Sequence, residues 1–274
     1  YKKLNKAQKE AVDAILGPVM VVAGPGTGKP QILALRIGNI LQKTDTPADG
    51  ILCLTFTNSG VRAMRERLSR IIGEEGGKVN VSTFHSFALN FLILKHFELL
   101  GFNTEPKILS DEEAVFLIDE ILREEDWEYL RPRASPSKYF TELKQLISIL
   151  KRERLTPDDF LRSVEEDIEN LAKDPESIST RGESKGKMKK EVEKKIESLR
   201  RTREVVQFYR LYEEKKFARS LLDYDDILEY AIKLVEEFEG VRADIYENYQ
   251  FVLIDEHQDS SGMQNNFLKV VWQE

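Results

Sequence analysis

The chain has 274 residues, 41% hydrophobic and 32% charged, enough for one large or two modest domains with real cores. A single cysteine, Cys53, excludes a disulfide framework. With only His85, His96 and His257 beside it, the composition argues against a zinc cluster and fits a reducing, cytoplasmic setting. The net charge of −7 is unevenly spread: residues 1–90 carry 12 basic and 7 acidic side chains, the remainder 29 and 41. Local potential guides a polyanion, so the total neither supports nor excludes a nucleic-acid partner.

Lys2, Lys3, Lys6 and Lys9 followed by an apolar stretch mimic a secretion signal, but Glu10 and Asp13 interrupt it, and no signal peptide is expected. No apolar run reaches the ~20 residues that cross a bilayer, so no membrane partner is expected. Asn5 to Leu16 reads as a helix, with Asn5 as cap, Gln8 at the capping-box position and Gly17-Pro18 as stop.

Four short apolar runs read as buried parallel strands: Val19–Ala23, Ile51–Phe56, Val79–Phe84 and Phe251–Asp255. Helical patterns follow the first three. Spacings of about thirty residues between them suit right-handed crossovers of a doubly wound α/β sheet. The fourth strand comes about 165 residues after the third, far beyond an ordinary crossover. Helical patterns fill the interval at Asp111–Glu125, Ser137–Lys151, Pro157–Ala172 and from about Lys187 to Phe217. They predict an all-helical insertion. Within it Arg181–Arg203 holds 10 basic and 4 acidic residues, read as a mobile loop entering a solvated helix, with a DNA-contacting surface as the alternative.

The first strand feeds Ala23-Gly24-Pro25-Gly26-Thr27-Gly28-Lys29-Pro30, a glycine-rich turn that opens a helix. In that context backbone N–H groups and a helix N-terminus hold phosphate oxygens, and Lys29 reaches the β and γ phosphates. The next position normally supplies a Ser or Thr hydroxyl to Mg²⁺; Pro30 has neither hydroxyl nor N–H. The loop therefore points to a nucleotide and puts its hydrolysis in question.

Two segments resemble the strand whose Asp holds Mg²⁺ and whose Glu activates water: Phe116–Glu120 and Phe251–Glu256. The first fails on context. Ser110 with Glu113 forms a capping box and Leu117, Ile118, Ile121 and Leu122 recur at helical spacing, so Asp119 and Glu120 lie on a helix face. Asp255 and Glu256 remain.

Five motifs in order, Ala23–Lys29, Leu54–Asn58, Ser82–Phe87, Leu222–Leu228 and Ile254–Asp259, make the chain resemble the UvrD/PcrA/Rep family of superfamily 1A DNA helicases over essentially its whole length. The resemblance implies a RecA-like P-loop NTPase fold. Residues 1–95 and 218–274 would form motor domain 1A, and residues 96–217 a helical subdomain 1B. It implies ATP and Mg²⁺ as cofactors, single-stranded DNA and single-strand/duplex junctions as partners, and 3′–5′ polarity. It also implies roles. Gln8 would read adenine, its carboxamide donating and accepting at once, although helix capping explains Gln8 equally. Lys29, Glu256 and Gln258 would be catalytic, and Asp255 would hold the metal. Thr55, Phe56, Thr57 and Asn58, with Thr83, His85 and Phe87, would touch DNA. For Phe56 the competing reading is a core aromatic. Asp223, Asp225 and Asp226 match an acidic motif that a helix N-terminus also explains.

The sequence departs from the family pattern at Ser59-Gly60-Val61, where a lysine is usual, at His257, and at Pro30. The family's later motifs, including the second motor domain and its arginine fingers, lie outside these residues, so half a motor is expected, inactive in unwinding by itself. The alternative is a hydrolysis-deficient nucleotide- and DNA-binding or assembly module.

Overall fold

The computed structural model describes residues 4–24, 26–130, 136–180 and 185–272. The chain forms two compact units, one of residues 1–101 and 227–274, the other of residues 102–226.

The first unit is α/β. Strands β1 (Ile51–Thr55), β2 (Asn80–Thr83) and β5 (Phe251–Ile254) form a parallel sheet in the order β2-β1-β5. Register sets Thr55 opposite Thr83 and Leu54 opposite Ile254, so the three C-terminal ends share one edge. Every residue of β1 is buried, as expected of a central parallel strand that is apolar from Ile51 to Leu54. Helices α2 (Lys29–Lys43) and α3 (Asn58–Ile72) cover it; Ile37, Ile40, Met64 and Leu68 join Ile51 and Cys53 in the core. Spacing of four between Met64 and Leu68 gives α3 its inward stripe. Short helices α4 (Glu74–Lys78) and α5 (Phe84–Phe87) flank β2, and a π-helical turn (Ala88–Ile93) and α6 (Leu94–His96) follow.

The run Val19–Ala23 is not a strand. Met20 and Val22 are more than four-fifths exposed, and the segment joins no ladder. A strand exists only through a partner's N–H and C=O groups. The outer edge of β5 bonds no other strand among the described residues, and Val19–Ala23 does not take that place. The N-terminal helix is also shorter than expected: α1 spans Lys6–Asp13, with Asn5 and Gln8 forming the expected capping box.

The second unit opens with β3 (Lys107–Ile108) and closes with β4 (Leu221–Leu222), paired in parallel, so the ends of the insertion lie side by side. Between them run α7 (Asp111–Glu124), α8 (Pro136–Arg152), α9 (Pro157–Lys173) and the long α10 (Lys190–Ala218). Their core includes Leu117, Ile121, Leu143, Ile147, Phe208 and Tyr212. Ser110 and Glu113 cap α7 reciprocally, and Asp119 pairs with Arg123 along it, so the segment is a helix and no metal-holding strand. Beside that core, two buried ammonium groups meet three carboxylates. Lys216 Nζ lies 3.0 Å from Glu213, 2.7 Å from Asp223 and 2.6 Å from Asp226. Lys151 faces the same three. Each lysine thus spends its three donors on three different acids. The remainder of the chain returns to the first unit through α11 (Asp226–Glu237), α12 (Glu239–Asn248), β5 and α13 (Gly262–Trp272).

Removing one member of such a buried set leaves the others uncompensated. Lys216→Met should destabilise the helical unit by about 3–5 kcal/mol, read as a lower denaturation midpoint. A change below about 0.5 kcal/mol, the scale of surface substitutions, would show that solvent already screens the cluster.

Candidate nucleotide and DNA site

The phosphate-loop residues form a turn that runs into α2. Gly26 and Gly28 have φ of +74° and +85°, backbone that glycine alone adopts freely. Gly28 caps α2 and Pro30 stands in its first turn. An N–H at that position has no intrahelical acceptor, so proline breaks no bond. The Gln31 and Ile32 amides reach the Gly28 carbonyl at 2.9 and 3.1 Å, and the helix starts normally. Thr27 Oγ1 donates to the Gly24 carbonyl at 2.7 Å. Pro25 lies outside the described residues. Lys29 Nζ donates to the Ala23 carbonyl at 3.4 Å and stands 3.3 Å from Glu256 Oε2. Residues 227 positions apart thus meet at the helix N-terminus.

The carboxylates follow β5. The Asp255 amide extends the ladder by one bond to the Leu54 carbonyl, 2.9 Å, fixing where the strand ends. Glu256 then turns the chain with φ +52° and ψ +40°, a left-handed conformation that costs a residue with a Cβ about 1–2 kcal/mol. Strain of this kind concentrates at functional sites. The Glu256 amide donates to Asp255 Oδ1 at 3.1 Å, and Gln258 Nε2 donates to Glu256 Oε2 at 2.5 Å. The two acids differ in environment. Desolvation, then the neighbouring Glu256 charge, pushes Asp255 above the ordinary aspartate value. The Gln258 amide, helped by Lys29, holds Glu256 below the ordinary glutamate value. A half-buried Asp held above its ordinary value, beside a half-buried Glu held below its own, is a donor set that fits a hydrated divalent cation.

Gln8 lies near the same loop. Its Oε1 accepts from the Asn5 amide at 3.0 Å and its Nε2 donates to the Thr27 carbonyl at 3.3 Å. Capping and contact with the loop coexist in one carboxamide.

The remaining motif residues stand at the ends of β1 and β2. Thr57 caps α3, accepting from the Gly60 amide at 3.0 Å, and Asn58 is exposed beside it. Phe56 is half-buried with its ring 5.3 Å from that of buried Phe84, leaving one side to solvent. Thr55 is buried and its hydroxyl donates to the Thr57 carbonyl at 3.2 Å. Thr83, also buried, caps α5 by accepting from the Ser86 amide at 3.1 Å; His85 is half-buried next to it. Phe87, expected to touch DNA with Thr83 and His85, stands in an aromatic cluster. It is 4% exposed, with Phe91, Tyr249 and Phe267 rings 5.2, 5.7 and 6.3 Å away, and helps to form the core. Sequence gave no sign of this, because Tyr249 and Phe267 are remote along the chain.

The acidic motif acts structurally. Asp223 and Asp226 cap one another's amides at 2.8 and 3.1 Å and hold the two buried lysines. With Glu213 they have the spacing of metal ligands, but ammonium groups fill that space. Sequence reading also missed Arg36 and Asn39, polar residues three apart within the apolar middle of α2, Ile32–Leu41. That interruption of the stripe was the available signal.

A glycine-turned loop leading into a helix, with its lysine facing Glu256 at a strand end, is the arrangement expected of the P-loop NTPase class. Comparison with known families agrees: the UvrD/REP helicase N-terminal domain matches residues 4–274, and the chain belongs to that family. It is similar to ATP-dependent DNA helicase PcrA of Staphylococcus epidermidis, 26% identical over 270 residues, or 98% of this chain and 32% of that protein. The PcrA of Bacillus subtilis is 26% identical over 267 residues, 97% of this chain and 31% of that protein. The chain thus spans about a third of the length of the curated relatives it matches. Among the described residues no helix is long and apolar enough to cross a membrane.

Asp255→Asn separates stability from chemistry. An Asp whose folded pKa is raised holds its proton in the folded chain over a pH range where the unfolded chain has lost it. Stability therefore falls as pH rises through the folded value. At neutral pH, Asp255→Asn should raise the melting temperature of the ligand-free protein while weakening Mg²⁺-dependent nucleotide binding at least tenfold. Thermal scans at pH 4 and pH 7 check the sign: the stabilisation should shrink at the lower pH.

Proposed function

We propose that this chain is the ATP-binding portion of a cytoplasmic, ATP-dependent DNA helicase that translocates 3′ to 5′ on single-stranded DNA and acts at single-strand/duplex junctions. The observation that carries the reading is the Lys29–Glu256 pair, 3.3 Å apart, which joins the phosphate loop to the carboxylate strand end. Membership of the helicase family and similarity to the ATP-dependent DNA helicase PcrA support it.

In this reading the loop from Ala23 to Pro30, Pro25 included, wraps the phosphates, and Lys29 leaves Glu256 to balance the β and γ charges. Asp255 holds Mg²⁺, which would polarise the transferred phosphoryl group. Glu256, once free of Lys29, takes a proton from the attacking water, and Gln258 links that carboxylate to the γ-phosphate. Gln8 reads adenine. The DNA-facing set is Phe56, Thr57, Asn58 and His85, with Thr55, Thr83 and Phe87 beneath them as supports. A second motor domain in the full-length protein would supply arginine fingers, worth roughly 10³–10⁵ in rate in related phosphoryl transfer. Alone, the chain should not unwind duplex DNA and should hydrolyse ATP feebly. Turnover of several per second with DNA, abolished by Lys29→Ala, would overturn that.

Pro30 favours a second reading, a nucleotide-sensitive binding or assembly module without efficient hydrolysis. It removes one backbone donor to phosphate and one hydroxyl ligand to Mg²⁺, and a hydrogen bond to a charged group contributes roughly 1.5–3 kcal/mol. Pro30→Thr should tighten MgATP binding by about ten- to a hundredfold and metal-free ATP binding less, measured by calorimetric titration with Mg²⁺ and with chelator. Equal affinities in all four titrations would remove phosphate from the loop's role.

Phe56→Ala should weaken single-stranded DNA binding by about 1–3 kcal/mol if a base stacks on the free side of the ring. Fluorescence anisotropy at fixed salt measures this. A drop in stability with unchanged DNA affinity would make Phe56 a core residue alone.

A further inference from the structure

Helix α1 has only eight residues, too few to be stable by itself in water. The chain that leaves it is anchored by little beyond Ile15, since Leu16, Met20 and Val22 are each more than four-fifths exposed. No basic residue stands in its last turn to meet the open carbonyls there. Those carbonyls are met instead from α2. Arg36 Nη1 donates to the Ala11 carbonyl at 2.9 Å and also to that of Ala14, while Nη2 reaches Ile15 at 3.2 Å. Buried Asn39 donates through Nδ2 to the Val12 carbonyl at 2.9 Å. Lys43 continues the row with an ion pair to Asp13 at 3.4 Å. Residues 36, 39 and 43 lie on one face of α2, which thus acts as the C-terminal cap that α1 lacks.

The same α2 begins at the phosphate loop. One helix therefore carries the loop at its N-terminus and grips, two turns later, the helix bearing Gln8. Gln8 meets the loop at Thr27, 3.3 Å away. We propose that Arg36 and Asn39 are positioning residues for base recognition: they cap α1 from α2 and thereby hold the Gln8 carboxamide in register with the phosphate loop. Phosphate binding does not pass through this contact; discrimination between bases does. The inference rests on the reading of Gln8 as the adenine contact.

The test is calorimetric titration of the chain with MgATP, MgGTP and inorganic tripolyphosphate. Arg36→Met keeps the apolar stem and removes the donors. It should weaken ATP binding by about tenfold, the scale of two hydrogen bonds, collapse the ATP-to-GTP ratio, and leave tripolyphosphate affinity unchanged. Asn39→Leu should act in the same direction, and Arg36→Lys should recover part of the ratio. Combined with Gln8→Ala, Arg36→Met should add nothing, because it acts through Gln8. An unchanged ATP-to-GTP ratio in Arg36→Met, with the ratio lost in Gln8→Ala, overturns the proposal and leaves the adenine reading intact. An unchanged ratio in Gln8→Ala overturns both. Loss of tripolyphosphate binding in both Arg36→Met and Asn39→Leu also overturns it, since the two residues would then support the fold of the loop and not base selection.

Discussion

Everything in the nucleotide unit depends on β1 being hydrogen-bonded in parallel on both sides. Two parallel neighbours force all three strands to end at the same edge, and register fixes which residues meet there: Thr55 beside Thr83, Leu54 beside Ile254. Segments far apart in sequence thereby deliver Phe56, His85 and Asp255 to one rim. This is the carboxyl edge at which open α/β sheets bind their ligands. The fully buried β1, apolar from Ile51 to Leu54, makes the arrangement strict, because such a strand is stable only when covered on both faces and paired on both edges.

The two units treat charge in opposite ways. In the helical unit Lys151 and Lys216 each find three carboxylates, and nothing is left over for a ligand. At the strand edge the charges are undersupplied. Asp255 is half-buried beside another acid, Glu256 is twisted into left-handed backbone and pairs with Lys29, and Arg67 and Lys29 offset the Asp255 charge only in part. A saturated cluster specifies structure. An unsaturated one retains a demand for a cation and an anion, at some expense in stability, which is how binding sites commonly differ from cores.

How far the sequence revealed this follows from the range of each signal. Helices were legible because their determinants are local. Ser110 with Glu113 and the 3.6-residue stripe place α7 to within a residue, and Pro157 marks the start of α9. The carboxylate pair was legible because the rival segment at Phe116–Glu120 carried a capping box. Strand status was not, since Val19–Ala23 has the composition of a buried strand but pairing is a property of two segments. The surroundings of aromatic residues were illegible for the same reason: Phe56 and Phe87 look alike in sequence, yet Phe56 is half-buried while remote Tyr249 and Phe267 close over Phe87. Lys151 and Lys216 carried no local signal of burial, because most of the acids that meet them come from other segments.

Pro30 separates what holds the loop from what the loop holds. The second residue of a helix has no intrahelical use for its N–H, and a φ near −65° is already helical. Accordingly, α2 begins at Lys29, and Gly28 accepts from Gln31 and Ile32 as it would with threonine in place. The glycines at 26 and 28 make the turn, and the grip of Arg36 and Asn39 on α1 lies further along the helix. None of these uses a side chain at position 30. Folding therefore exerts almost no preference between proline and threonine there, whereas a phosphate and its metal would exert a strong one. Position 30 is thus left open by the fold, and a preference between proline and threonine there would come from a ligand of the loop, with the loop geometry unchanged.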